Sequence, residues 1–286
     1  MQKMTTVETT IAVGLLLIIL AFVIMPLRPQ MWLYPLARQG FQAKLNFETR
    51  NLSQLETEHF IVKYAAADAA VAPMVAQTAE DAYRPVTGAL GYKPAGKALI
   101  VIYPDKRELN QVFGWSASES AMGVYWGGVI QVLSPRAWQK NPASAAEFEK
   151  NGPILHEYTH LVFDYMTNGN YPRWFTEGLA QYMEYQANGY EWRTKDNQLS
   201  GRLYSLDEMT ANFDDLPNKS LAYRQSLAAV RYIAEAGGEA KLQGVIRDLS
   251  AGQKLEDAIH RNLGLTMDEY DKAWREWAVI HMEYKK

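Results

Sequence analysis

Two histidines four residues apart constrain this chain more tightly than any other feature. His156-Glu157-Tyr158-Thr159-His160 brings both imidazoles to one ion, at ligand distances of about 2 Å, only if the backbone is helical and both side chains share a face. The surroundings agree with a helix. Pro153 suits its first turn, Asn151 stands where a cap would, and Asn168-Gly169-Asn170 closes it after Met166. Glu157, beside the first histidine, projects at the edge of the same face, where it can take a proton from water activated by the ion. His59, His260 and His281 are scattered and read as ordinary surface or core residues.

The chain has no cysteine, so thiolate-bound zinc, iron–sulfur clusters, disulfides and a cysteine nucleophile are all excluded. A tight metal site must then use imidazole and carboxylate. A catalytic zinc site takes three protein ligands and keeps one position open. The extended HExxHxxGxxH pattern fails, because Phe163 and Met166 stand where its glycine and third histidine would be. Seventeen residues past His160, Glu177 lies in the first turn of a second helix expected to start near Thr176. A connection such as 168–173 is long enough to fold that helix antiparallel to the first and carry Glu177 over the histidine face. Gly178 would let the two backbones approach closely. Complementing the helix dipole is the competing account of a first-turn glutamate, and its pairing with HExxH favours the ligand reading.

The rest of the chain orders itself around these helices. Glu58 to Tyr64 and Ala98 to Tyr103 read as strands, with an alanine-rich helix from Ala66 to Leu90 between them. Met122 to Leu133 reads as a hairpin turning at Gly127-Gly128. From Pro153 onward the pattern is almost wholly helical, with capping boxes at Ser205-x-x-Glu208 and Thr266-x-x-Glu269. The expected class is α+β: a small mixed sheet with helices, then an all-helical C-terminal part.

Ahead of this lie nineteen uncharged residues, Thr9 to Leu27, which as a helix would cover about 28 Å, close to the hydrocarbon thickness of a bilayer. Pro26-Leu27-Arg28-Pro29 offers no small-x-small cleavage pattern, and Trp32 and Tyr34 stand where interfacial aromatics anchor a span. The expectation is an uncleaved transmembrane anchor in residues 1–27, a juxtamembrane linker over 28–57, and one domain over 58–286, divided into 58–168 and 169–286. One basic residue before the span and three after it would place the domain in the cytoplasm. A tail this short makes that count indecisive, and a single-pass cell-membrane protein with an extracytoplasmic domain is expected. The 29 basic and 32 acidic residues give a net charge of −3, which provides no basic face for a phosphate backbone and excludes nucleic acid as a partner.

HEYTH followed by Trp174-Phe175-Thr176-Glu177-Gly178-Leu179-Ala180 resembles the glutamate-type zincins, the gluzincins, and most closely the bacterial peptidase MA-like group, which pairs an HExxH helix with a W-x-x-E-G-L-A helix. The likeness extends more weakly from about Glu58 to Trp277 and takes in Tyr223-Arg224-Gln225-Ser226, similar to a Y-x-x-S helix start of that group. It implies a zincin-like, zinc-dependent peptidase. Its one Zn2+ would be held by His156, His160 and Glu177, with Glu157 as general base. Tyr223 becomes the candidate oxyanion donor, against the plainer account of a packed aromatic. Gln181 stands where thermolysin-like enzymes place a histidine-orienting aspartate, so Gln181, Asp164 or a backbone carbonyl is left to orient the ligands.

Ala121, Met122 and Gly123 are read as an edge strand that pairs with an extended peptide, or else as one arm of a plain structural hairpin. The aromatic residues Trp115, Tyr125, Trp126, Tyr171 and Trp174 are assigned no subsite. The overall expectation is a membrane-anchored zinc peptidase, with a catalytically inactive zincin-like scaffold at the membrane as the alternative, which the intact Glu157 argues against.

Overall fold

Alternation along three apolar strands decides where the core sits. In the computed structural model, which describes residues 29–116, 121–139 and 144–283, strands β1 (Ser53–Glu56), β2 (Phe60–Tyr64), β3 (Ala98–Tyr103), β4 (Gly123–Trp126) and β5 (Val129–Leu133) form one sheet in the order β1-β2-β3-β5-β4. The inner strands β2, β3 and β5 run parallel, and the edges β1 and β4 pair antiparallel with their neighbours. In-register pairs such as Val62 with Ile100 and Ile102 with Val132 align the buried side chains across the sheet. That face is covered by helices α2 (Ala72–Leu90) and α5 (Ile154–Thr167), whose buried residues join the same core.

The other face is covered by a segment expected to be a linker. Pro29–Glu48 is a helix, α1, whose Phe41 and Leu45 pack on Val101 and Val129. Residues 53–56 add the edge strand β1. A stripe at i, i+4 gives α1 an inward face, so 29–56 is part of the fold rather than a spacer. Tyr34, expected among interfacial aromatics, donates its hydroxyl to Asp164 at 2.7 Å instead. Thr9–Leu27, the expected membrane span, lies outside the described residues. Among the described residues no helix is long and apolar enough to cross a membrane.

Short helices α3 (Lys106–Phe113) and α4 (Ala145–Asn151) flank the hairpin. Asn151 ends α4 rather than capping α5, which starts directly after Pro153. The hairpin turns as expected, with Gly127 and Gly128 both at positive φ, 57° and 85°, in the two-residue loop that suits the sheet twist. Beyond α5 the chain is helical: α6 (Arg173–Asn188), α7 (Leu206–Asn212), α8 (Lys219–Arg231), α9 (Glu239–Ser250), α10 (Leu255–Leu263) and α11 (Met267–Ala278). Both capping boxes form, at Ser205 and Thr266. Helix α6 lies between α5 and α8, and its Gly178 abuts the Ser226 carbonyl of α8, where any Cβ would overlap it. The close approach foreseen from Gly178 is therefore made with α8 rather than with α5.

Candidate metal centre

His156 and His160 occupy successive turns of α5, and their rings meet edge to face at 4.7 Å. Helix α6 runs antiparallel to α5: Thr176 of α6 faces His160, and Glu184, two turns further on, faces His156. Between these contacts Glu177 presents Oε2 3.2 Å from His156 Nε2 and 3.5 Å from His160 Nε2. The three ligand atoms lie within 4.8 Å of one another, a spacing that can hold a metal ion. The structure thus brings together all three residues expected as ligands.

The outer nitrogens explain why the inner ones point inward. His156 Nδ1 is 2.9 Å from Glu184 Oε2. A carboxylate only accepts, so Nδ1 donates its proton to Glu184, and Nε2 is the nitrogen turned towards Glu177 and the place an ion would take. His160 Nδ1 is 2.7 Å from Thr176 Oγ1, which accepts the corresponding proton when Nε2 is a ligand. Arg173 Nη2 contacts the other oxygen of Glu177, Oε1, at 3.0 Å. That contact reserves a single carboxylate oxygen for the cluster.

Electrostatics follow this arrangement. Burial raises the Glu177 pKa, but Arg173, His160 and His156 outweigh it and hold the carboxyl well below its ordinary range. Burial lowers the His156 pKa, yet Glu184 and Glu177 hold it well above the usual histidine value. The Glu157 carboxyl is pushed up, chiefly by burial, with His156 and His160 opposing the rise.

Glu157 reaches the sheet edge. Its Oε2 accepts the Tyr125 backbone N–H at 2.7 Å. Leu133 N donates to Met122 O, so by alternation Met122, Val124 and Trp126 bond to β5, while Gly123 and Tyr125 turn their backbone groups to the open edge. Gly123 has no room for a side chain, since a Cβ there would lie 2.6 Å from Pro153 Cβ and 2.8 Å from Glu157 Cγ. Its small size lets β4 settle against the start of α5. Tyr223, on α8, lies in the field of Glu177. That carboxylate is the largest cause of its raised phenol pKa, with burial next, so the hydroxyl stays protonated.

The orienting residues differ from those expected. Gln181 donates to the Tyr223 and Glu177 carbonyls at 2.8 and 3.2 Å and touches neither histidine. Asp164 is fully buried and accepts from Tyr34, Arg38, Tyr125 and Tyr171. Glu184, Thr176 and Arg173 take the places around the ligands. A signal for Glu184 was present, since it follows Glu177 by seven residues, two turns along one helical face.

Residues 143–280 match the family model described as the Peptidase MA superfamily. A search of curated proteins finds no match. Among solved structures, the chain is similar to an M1 zinc metallopeptidase from Deinococcus radiodurans, at 14% identity and TM-score 0.47, over 79% of this chain and 50% of that one. A mutant of that enzyme bound to a Tyr-Ser-Ala substrate gives 13% identity and TM-score 0.38, over 79% and 50%. The chain thus spans about half the length of these structures. Residues 143–280, the stretch that carries His156, Glu157, His160 and Glu177, are thus what this chain shares with the peptidase MA superfamily model.

Proposed function

We propose that the protein is a membrane-anchored zinc peptidase acting within peptide chains. The observation that carries this reading is the convergence of two imidazole Nε2 atoms and one carboxylate oxygen beside the Glu157 carboxylate, at an open sheet edge. Two nitrogens and an oxygen, each oriented by an outer partner, suit a single Zn2+. A bound zinc ion supplies a Lewis acid that polarises the scissile carbonyl and lowers the pKa of water to about 7.

The chain's own residues do the rest. Glu157 accepts the proton of the attacking water and passes it to the departing amine. Its raised pKa brings it nearer to neutrality, which favours both transfers. The protonated Tyr223 hydroxyl donates to the oxyanion as it forms. An extended substrate pairs along β4, with Ala121, Met122 and Gly123 beside it and the outward Gly123 backbone as the pairing group. Residues 9–27 hold the domain at the membrane, on the extracytoplasmic side.

Metal analysis of the detergent-solubilised full chain, with peptide-library cleavage by wild type and Glu157→Gln, tests the reading. One zinc per chain is expected, with cleavage falling about a hundredfold or more in the variant while zinc is retained. A chain without zinc, or equal cleavage by both forms, overturns it. Carbonate extraction and protease accessibility in intact cells test the anchor and its side separately.

A further inference from the structure

The candidate centre is not equally closed on all sides. Glu177 and His160 are 2% and 7% exposed at their side chains, whereas His156 and Glu184 are 16% and 17% exposed, so solvent enters from the His156 side. Just past the end of α6 on that side, the chain leaves the helix and passes through Tyr190-Glu191-Trp192. Glu191 turns inward, its side chain 12% exposed, while Tyr190 and Trp192 are 45% and 42% exposed.

The segment is fastened from beneath. Glu191 Oε1 meets both Nε and Nη2 of the buried Arg224 at 3.1 Å. Asn197 Nδ2 donates to the Trp192 carbonyl at 2.9 Å, and Arg193 donates to the Met282 carbonyl at 2.7 Å. Arg224 lies one residue from Tyr223 on α8, so the same helix supplies the aromatic beside Glu177 and the anchor of this segment. Trp192 stands edge-on to the Tyr223 ring at 6.0 Å. The Tyr190 phenol, its pKa raised first by burial, also feels Glu184 and His156. Two large exposed aromatics, fastened through Glu191 and Asn197, thus follow the end of α6 beyond Glu184, with Trp192 against the ring of Tyr223. A fixed aromatic surface binds apolar side chains at little entropic cost.

We propose that Tyr190 and Trp192 form an aromatic shelf that receives a large apolar or aromatic side chain of the substrate next to the cleaved bond, and so set specificity. This rests on the peptidase reading. Phe113, Trp115 and the β4 hairpin aromatics are not needed for it.

The test uses the zinc-loaded full chain in detergent and internally quenched peptides identical except for Phe or Ala at each position in turn. At one position beside the cleaved bond, wild type should favour Phe over Ala by about tenfold in kcat/KM. Trp192→Ala and Tyr190→Ala should bring that ratio close to one, mostly through KM. Trp192→Phe should retain most of the preference, and Phe47→Ala, which removes an exposed aromatic on α1, should leave it unchanged. Fluorescein-labelled forms of the same peptides, bound to Glu157→Gln, should show the same discrimination in Kd.

An unchanged Phe-to-Ala ratio in both alanine variants overturns the shelf, as does equal binding of both peptides by Glu157→Gln. Failure of wild type to cleave any peptide counts instead against the peptidase reading, and the binding arm still decides the shelf. Should Trp192→Ala lose its fold by circular dichroism, Tyr190→Ala carries the comparison.

Discussion

The Glu184 carboxylate lies 2.9 Å from Nδ1 of His156, on the side of the ring away from Glu177. That contact fixes both the tautomer and the ring plane of a candidate ligand. Glu184→Ala should weaken zinc affinity by about ten- to a hundredfold, read by chelator competition. Glu184→Gln, which keeps an acceptor oxygen but loses the charge, should weaken it less. Equal affinity in Glu184→Ala and wild type would remove Glu184 from the support of the centre.

Gly178 is the point where α6 meets α8. Its absent side chain is what allows the Ser226 carbonyl to sit against the α6 backbone, one residue from Glu177. Gly178→Ala should therefore cost about 1 to 3 kcal/mol in urea unfolding, because the obstacle is backbone and cannot rotate away. It should also displace Glu177 and lower zinc affinity. Unchanged stability would show that the helices separate at no cost.

The centre was legible because helical spacing turns HExxH into geometry without tertiary information, and the sheet strands were legible from their apolar runs. What surrounds the centre was less so. Gln181, Asp164 and a backbone carbonyl all stood open as supports of the ligands, but the antiparallel crossing of α5 and α6 sets Glu184 opposite His156. Which turn faces which histidine depends on that crossing, which no local pattern encodes. Helix α1 is harder to read, because Tyr34 suits a membrane interface and 41–57 suits a juxtamembrane linker as well as a short helix. Its Phe41 and Leu45 acquire meaning only once Val101 and Val129 present an uncovered sheet face. The aromatics of 190–192 carry no periodic signal, and their position emerges only from the Glu191–Arg224 anchor.

Acid should weaken the sheet side of the domain through Glu80. Its Oε2 is 2.7 Å from His59 Nδ1 and its Oε1 accepts the His59 N–H at 2.8 Å. Burial raises its pKa, but bonds from Thr57 and His59 more than offset this, leaving the folded value below the ordinary 4.5. A depressed folded pKa means stabilisation that is complete above the unfolded value and is lost as pH falls through the folded one. The melting temperature should therefore drop as pH is lowered from about 5 to about 3, and Glu80→Gln should flatten that part of the profile. Parallel profiles for the two proteins would exclude Glu80 as a contributor.

Asp164 links α1 to the candidate centre. One oxygen accepts from Tyr34 at 2.7 Å and Tyr171 at 2.9 Å, the other from Arg38 at 2.8 Å and Tyr125 at 2.6 Å. Tyr125 also donates its backbone N–H to Glu157, so the same residue connects Asp164 to the proposed base. Removing the carboxylate strands a nearly buried guanidinium and three phenols at once. Asp164→Ala should thus cost about 3 to 5 kcal/mol in urea unfolding, the range for breaking a buried ion pair on one side. Arg38→Ala and Tyr34→Phe, which each remove one donor and leave Asp164 its others, should cost less than Asp164→Ala. If α1 were only a stem between membrane and domain, neither of these two variants would alter unfolding at all, and that outcome would return residues 29–48 to the role of a linker.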